Sequence, residues 1–111
     1  AGACKDIAKE FNVPLIALAQ INRGVETQAN KRPCIADIKD SGDIEQDMDI
    51  GLLIYRDEYY NPDSLSKGLM EINVAKNRNG RVGVCEVWFS PENGNFRSVD
   101  REKTAPSWLR C

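Results

Sequence analysis

The chain has 111 residues, enough for one small domain with its own core. A hydrophobic content of 41% and a charged content of 29% argue against disorder, and a formal net charge of −2 gives no bulk basic field for nucleic acid. The absence of histidine removes His-based triads and the usual His metal sites.

Cys4, Cys34, Cys85 and Cys111 are widely spaced, with no Cys-x-x-Cys pair. That is neither a zinc pattern nor a compact disulfide framework, and reduced thiols in a cytoplasmic protein are expected. No metal site is expected either. No apolar run approaches the ~20 residues of a membrane span. The first residues do not form a signal peptide.

Ile7, Ala8 and Phe11 recur at helical spacing, so residues 4 to 11 read as the end of a helix. Asn12 is its stop and Pro14 lies just beyond. Val13 to Ala19 is a continuous apolar run, the pattern of a strand buried on both faces. Gly24 to Pro33 is polar and reads as a loop. Ser41-Gly42-Asp43 resembles a turn feeding a short helix through Ile44-Glu45-Gln46.

Ile50 to Tyr55 is a second candidate buried strand, and Asn61-Pro62-Asp63-Ser64 a loop. Leu69 to Val74 reads as a strand with one drier face. The Asn79-Gly80 turn signal joins it to a return strand, Val82 to Phe89. Asn93-Gly94 marks another turn, Phe96 opens a short final strand, and residues 99 to 111 form a polar tail. A helix and a buried strand followed by antiparallel hairpins suggest the second half of an α/β sheet with few helices.

The run Ala75-Lys76-Asn77-Arg78-Asn79-Gly80 carries the sharpest chemical signal. Alternate residues of an extended chain point the same way, so Lys76 and Arg78 would project together. A paired ammonium and guanidinium suits a polyphosphate. No Gly-x-x-x-x-Gly-Lys-Ser/Thr cradle occurs in the chain, so the nucleotide would be held by other residues. Two solvated cations at a hairpin end are the ordinary alternative.

Five segments together carry a family resemblance. They are Ile16-Ala17-Leu18-Ala19-Gln20-Ile21-Asn22-Arg23, Lys31-Arg32-Pro33, Ser41 to Asp49, Tyr55-Arg56-Asp57-Glu58-Tyr59-Tyr60 and Lys76-Asn77-Arg78-Asn79-Gly80. In this order they resemble the carboxy-terminal part of a DnaB-type replicative DNA helicase, from about Ile7 to Phe96. The resemblance implies a partial RecA-like P-loop NTPase domain over residues 1–98, with the tail at 99–111. It implies a homo-hexamer that uses ATP and Mg2+ to move on single-stranded DNA and unwind duplex DNA, with primase and a helicase loader as partners.

The resemblance makes Gln20 a γ-phosphate sensor, and Lys76 and Arg78 a trans-acting lysine and arginine finger. Lys39, Asp40, Ser41 and Gly42 would form a channel loop on single-stranded DNA, where glycine lets backbone N–H groups approach phosphates. Lys39-Asp40 stands where the family usually has Arg-Glu, and the lysine loses bidentate geometry. Asp43 adds an acid near that path.

Ile50 to Tyr55 followed by Asp57-Glu58 has the form of a Walker B strand. The resemblance instead places Walker B and the phosphate loop before Ala1, and Asp57-Glu58 on a surface turn. Two other readings stay open: a non-catalytic truncated subunit that docks on or regulates a ring, and a RecA-like ATPase outside replication.

Overall fold

The computed structural model describes residues 2–39 and 41–103. Helix α1, Gly2–Phe11, ends where Asn12 adopts φ 52°. There the Asn12 N–H donates to the Lys9 carbonyl at 3.4 Å and the Val13 N–H to the Ala8 carbonyl at 3.1 Å. These two bonds are the Schellman pair that satisfies helix-end carbonyls, and asparagine tolerates the left-handed turn they require.

Val13 to Ala19 is not a strand among the described residues. The segment is exposed throughout, with Ile16 90% and Leu18 98% accessible. An apolar run of this type becomes a buried strand only with a ladder on its edges, and no described strand pairs with it. Its start is held by the Val13 N–H, and two residues past its end Ile21 forms an antiparallel bridge with Ile38. Two 3-10 turns, Arg23–Thr27 and Ile35–Asp37, interrupt what reads as plain loop. The second is closed by the Asp37 carboxylate, which accepts the Cys34 N–H at 2.7 Å. Cys4 and Cys85 are free thiols. Cys34 is disulfide-bonded, unlike the expectation of reduced thiols.

Helix α2 spans Ser41–Asp47 and leads into strand β1, Ile50–Tyr55. A one-turn helix α3, Asp57–Tyr60, precedes strands β2, Leu69–Asn77, β3, Gly83–Ser90, and β4, Asn95–Lys103. The four strands form an antiparallel meander in the order β1-β2-β3-β4. β4 is longer than expected. It carries the backbone of residues 99 to 103 into the ladder, with Cys85 opposite Glu102 and Val84 opposite Lys103. A polar sequence can do this because ladder bonds are made by the backbone. The rest of the expected tail lies outside the described residues.

β1 reads as a continuous apolar run, yet it is buried only at alternate positions, Gly51, Leu53 and Tyr55. On this inner face the loop over residues 21–38 supplies Val25, Cys34 and Ile38, which form the core with Leu53, Tyr55 and Val84. On the outer face Ile50, Leu52 and Ile54 are each more than half exposed. No described element covers them, so the alternation of a one-sided sheet replaces the expected two-sided burial.

Candidate nucleotide and DNA site

The placement of Lys76 begins with an irregularity in β2. Gly51 faces Lys76 and the next residue, Leu52, faces Val74, so Ala75 is left over as a bulge. Glu71 and Asn73 lie on the inner face, opposite Tyr55 and Leu53. Unbroken alternation would put Lys76 on the outer face. The bulge returns it to the inner one, opposite Gly51.

The strand stops at Asn77, but Arg78 keeps the register by donating its N–H to the Asp49 carbonyl at 2.9 Å. Lys76 and Arg78 therefore share a face, as the spacing suggests. The bulge decides which face it is.

Both cations converge on the C-terminal end of α2. Lys76 Nζ donates to the Glu45 carbonyl. Arg78 Nη2 donates to the Gln46 and Met48 carbonyls, each at 3.4 Å. Arg78 Nη1 pairs with Asp49 Oδ1 at 2.7 Å. Helix C-termini attract cations because their last carbonyls lack partners and carry the negative end of the dipole. Asp49 also pairs with Lys5 of α1 at 3.3 Å.

Gln20 lies one residue before the bridge. Its carbonyl accepts the Lys39 N–H at 2.9 Å, and Asn22 N–H donates to Asp37 O at 2.7 Å. The Gln20 side chain is exposed and makes no hydrogen bond among the described residues. Lys39 is exposed as well. Asp40 lies outside the described residues. Ser41 opens α2, and a Cβ at Gly42 would meet nothing within 4 Å. The segment is thus open to a close ligand at its glycine.

Three of the expected groups are strung along one path. Gln20 bonds to Lys39, α2 follows that loop, and the cation pair closes on the far end of α2. No hydrogen bond joins Gln20 directly to Lys76 or Arg78 among the described residues.

Asp57 and Glu58 open the single helical turn α3 and are half-buried, each with its own partners. Tyr55 donates to Asp57 Oδ1 at 2.9 Å, and Ser64 Oγ donates to Asp57 Oδ2. These bonds, Ser64's first, hold the Asp57 carboxyl below the usual carboxylate range. Glu58 pairs with Arg56 at 3.0 Å and accepts the Gly68 N–H at 3.1 Å. Both lower its pKa, Arg56's hydrogen bond most. With all these partners the two acids anchor the sheet end.

A second network lies under the loop and has no counterpart in the sequence reading. Arg32 Nε faces both Glu71 oxygens at 3.2 Å and Nη2 faces one at 2.9 Å. The guanidinium carbon sits 4.6 Å from the Tyr55 ring centroid. Tyr55 is pushed up to about 12, mainly by burial and then by its bond to Asp57. The only sequence signals are a cation before Pro33 and an acid on the drier face of β2.

A cleft of about 260 Å³ opens beside this network, between Asn22, Arg23, Lys31, Tyr55, Arg56 and Tyr60. None of the residues singled out in the sequence as phosphate or DNA ligands lines it.

A short helix at the end of an antiparallel sheet, as found here, is a piece of a RecA-like α/β domain. The chain belongs to the DnaB-like helicase C-terminal domain family, whose description matches residues 1–98. It is 48% identical over 97 residues to the replicative DNA helicase DnaB of Geobacillus stearothermophilus, covering 87% of this chain and 21% of that protein. It is 47% identical over 97 residues to the replicative DNA helicase DnaC of Bacillus subtilis, again covering 87% and 21%. A DnaB-like replicative helicase solved with attention to its interactions with primase superposes with a TM-score of 0.84 at 43% identity, covering 87% of this chain and 24% of that one. A solved ATPase domain gives the same TM-score and identity over 34% of its length. The chain thus spans about a fifth of the curated relatives it matches.

Proposed function

We propose that these residues work as the carboxy-terminal part of the motor domain of a hexameric, ATP-dependent replicative helicase. The intact subunit would couple ATP hydrolysis to movement along single-stranded DNA and unwinding of the duplex. The observation that carries this reading is the shared face of Lys76 and Arg78 at the end of the β1–β2 ladder, which the bulge at Ala75 turns toward α2. Such a pair can reach a phosphate held by a neighbouring subunit.

In this reading Arg78 offers a forked guanidinium to the charge that builds on the transferred phosphoryl group, and Lys76 a point charge. Gln20 offers an amide that both donates and accepts, suited to a phosphate oxygen or to the attacking water. Lys39, Asp40, Ser41 and Gly42 follow the DNA backbone, with Gly42 giving phosphates access to the main chain. In the same reading ATP and Mg2+ are held mainly by residues outside this stretch. A primase contact, described for one relative, is assigned to other parts of the intact subunit.

The test is ATP hydrolysis by the full-length subunit with single-stranded DNA, wild type against Arg78→Ala. Loss of a trans-acting finger should lower kcat by about 10³-fold or more, with nucleotide binding kept. A wild-type rate would make Arg78 a surface cation and remove the finger assignment.

A further inference from the structure

We infer that the C-terminal end of α2 is a second seat for Lys76 and Arg78, and that Asp49 is the positioning residue that holds Arg78 there until phosphate displaces it. The inference rests on the finger and DNA-loop roles proposed above. It adds a residue, a resting place for the cations and a route between the two sites.

The geometry sets up a competition. Arg78 turns Nη1 to Asp49 and Nη2 to the Gln46 and Met48 carbonyls, so both prongs of its fork are engaged. Lys76 is engaged by the Glu45 carbonyl. A guanidinium cannot give the same N–H groups to these oxygens and to a phosphate at full strength. A forked, two-pronged grip on phosphate therefore means giving up bonds to α2.

The seat is built to be left. The Arg78 side chain is 43% exposed and that of Asp49 63%, so water replaces the lost bonds when the cations depart. Exposed ion pairs bias an equilibrium without locking it. The consequence falls on α2. The helix has seven residues, too few to be stable alone, and loses the partners of two of its carbonyls, Glu45 and Gln46, and of Met48 just past its end. Its other end begins at the proposed DNA loop, and that loop is tied to Gln20 through the Lys39 N–H. Occupation of the seat and grip on DNA then bias one another reciprocally, as any coupled pair of sites must. Asp49 is the natural handle. It pairs with Arg78 and Lys5, and nothing in the geometry turns it toward a bound phosphate.

The experiment is Asp49→Asn in the full-length subunit, with kcat and KM for ATP measured with and without single-stranded DNA. The expected result is a rise of about two- to five-fold in kcat without DNA, the most an exposed pair can hold back. DNA stimulation should shrink by the same factor, with KM unchanged. Unchanged kcat and unchanged stimulation would overturn the seat. So would a fall toward the Arg78→Ala rate, because Asp49 would then aim the finger rather than store it. Arg78→Ala in the same assay separates the two layers. A wild-type rate there sinks the finger reading, and with it this inference. A collapsed rate beside a silent Asp49→Asn sinks the seat alone.

A second measurement needs no variant. Hydrogen exchange of the amides of residues 44–48 in the wild-type subunit should speed up when a non-hydrolysable ATP analogue is added. Equal exchange with and without the analogue would overturn the proposal.

Discussion

Replacing Glu71 by alanine tests whether the loop over residues 21–38 is held to the sheet as described. Glu71 accepts three N–H···O contacts from Arg32, and the two side chains are only 12% and 22% exposed. Removing one partner of a fully buried pair costs about 3–5 kcal/mol, because the other charge is stranded. Here Arg32 keeps some access to water and an Asn30 oxygen at 3.4 Å, so the loss should be roughly 2–3 kcal/mol. Weakening of the Arg32–Tyr55 ring contact is included in that range, at about 0.5–1 kcal/mol. For a domain near this size, 1 kcal/mol moves Tm by about 4–8 °C, so a fall of about 10–20 °C is expected.

The assay is thermal and urea unfolding followed by tryptophan fluorescence in a Trp108→Phe background, which leaves Trp88, opposite Leu69 in the β2–β3 ladder, as the reporter. Arg32→Met added to Glu71→Ala should recover at least half of the loss, since no orphan charge remains. A change below about 0.5 kcal/mol for Glu71→Ala, the usual scale of a surface substitution, would refute the reasoning. So would a double variant worse than the sum of the singles.

Tyr55 titrates near 12 when folded and near 10 when unfolded, so the folded state holds its proton longer. Its contribution to stability is full below about pH 10 and is lost as pH rises through that window. Urea midpoints at pH 9 and pH 11 should show this loss, and Tyr55→Phe should flatten it. Gly68 has φ 81° and a Cβ there would sit 3.4 Å from the Trp88 ring. Gly68→Ala should therefore cost about 1–3 kcal/mol, read from the same midpoints. The isolated 111-residue chain should self-associate through the bare outer face of Ile50, Leu52 and Ile54. Leu52→Lys should reduce that association in sedimentation, and a monodisperse wild-type monomer would exclude it.

Patterns complete within a few residues were legible. The Asn12 stop, the Asn93-Gly94 turn, the start of β2 at Leu69 and the span of β3 to within a residue need only local chemistry, whereas β2 and β4 run on past their expected ends because backbone pairing extends them. Val13 to Ala19 was misread because a buried strand is a property of its neighbours, and none of the described strands adjoins it. The two-sided burial of Ile50 to Tyr55 failed for the same reason. Arg32 and Glu71 were overlooked because they lie 39 positions apart in sequence, and no spacing rule joins a loop cation to a strand acid. Lys76 and Arg78 were found because alternation is local. Their seat on α2 was not, since it is made of backbone carbonyls that every sequence has.

The sheet's two faces have opposite character, and one residue decides which of them bears the cations. The outer face carries Ile50, Leu52, Ile54, Ile72 and Val74, and the inner face carries Tyr55, Glu71, Asn73 and the end of α2. If the same residues alternated without the bulge at Ala75, Lys76 and Arg78 would stand on the aliphatic side, away from the α2 carbonyls and Asp49. Inserting one alanine between Ala75 and Lys76 keeps every proposed ligand and reverses only their direction. The full-length insertion variant should lose hydrolysis nearly as completely as Arg78→Ala, while still binding nucleotide. An insertion variant with wild-type kcat would mean that the face the bulge selects has no part in how this sheet end works.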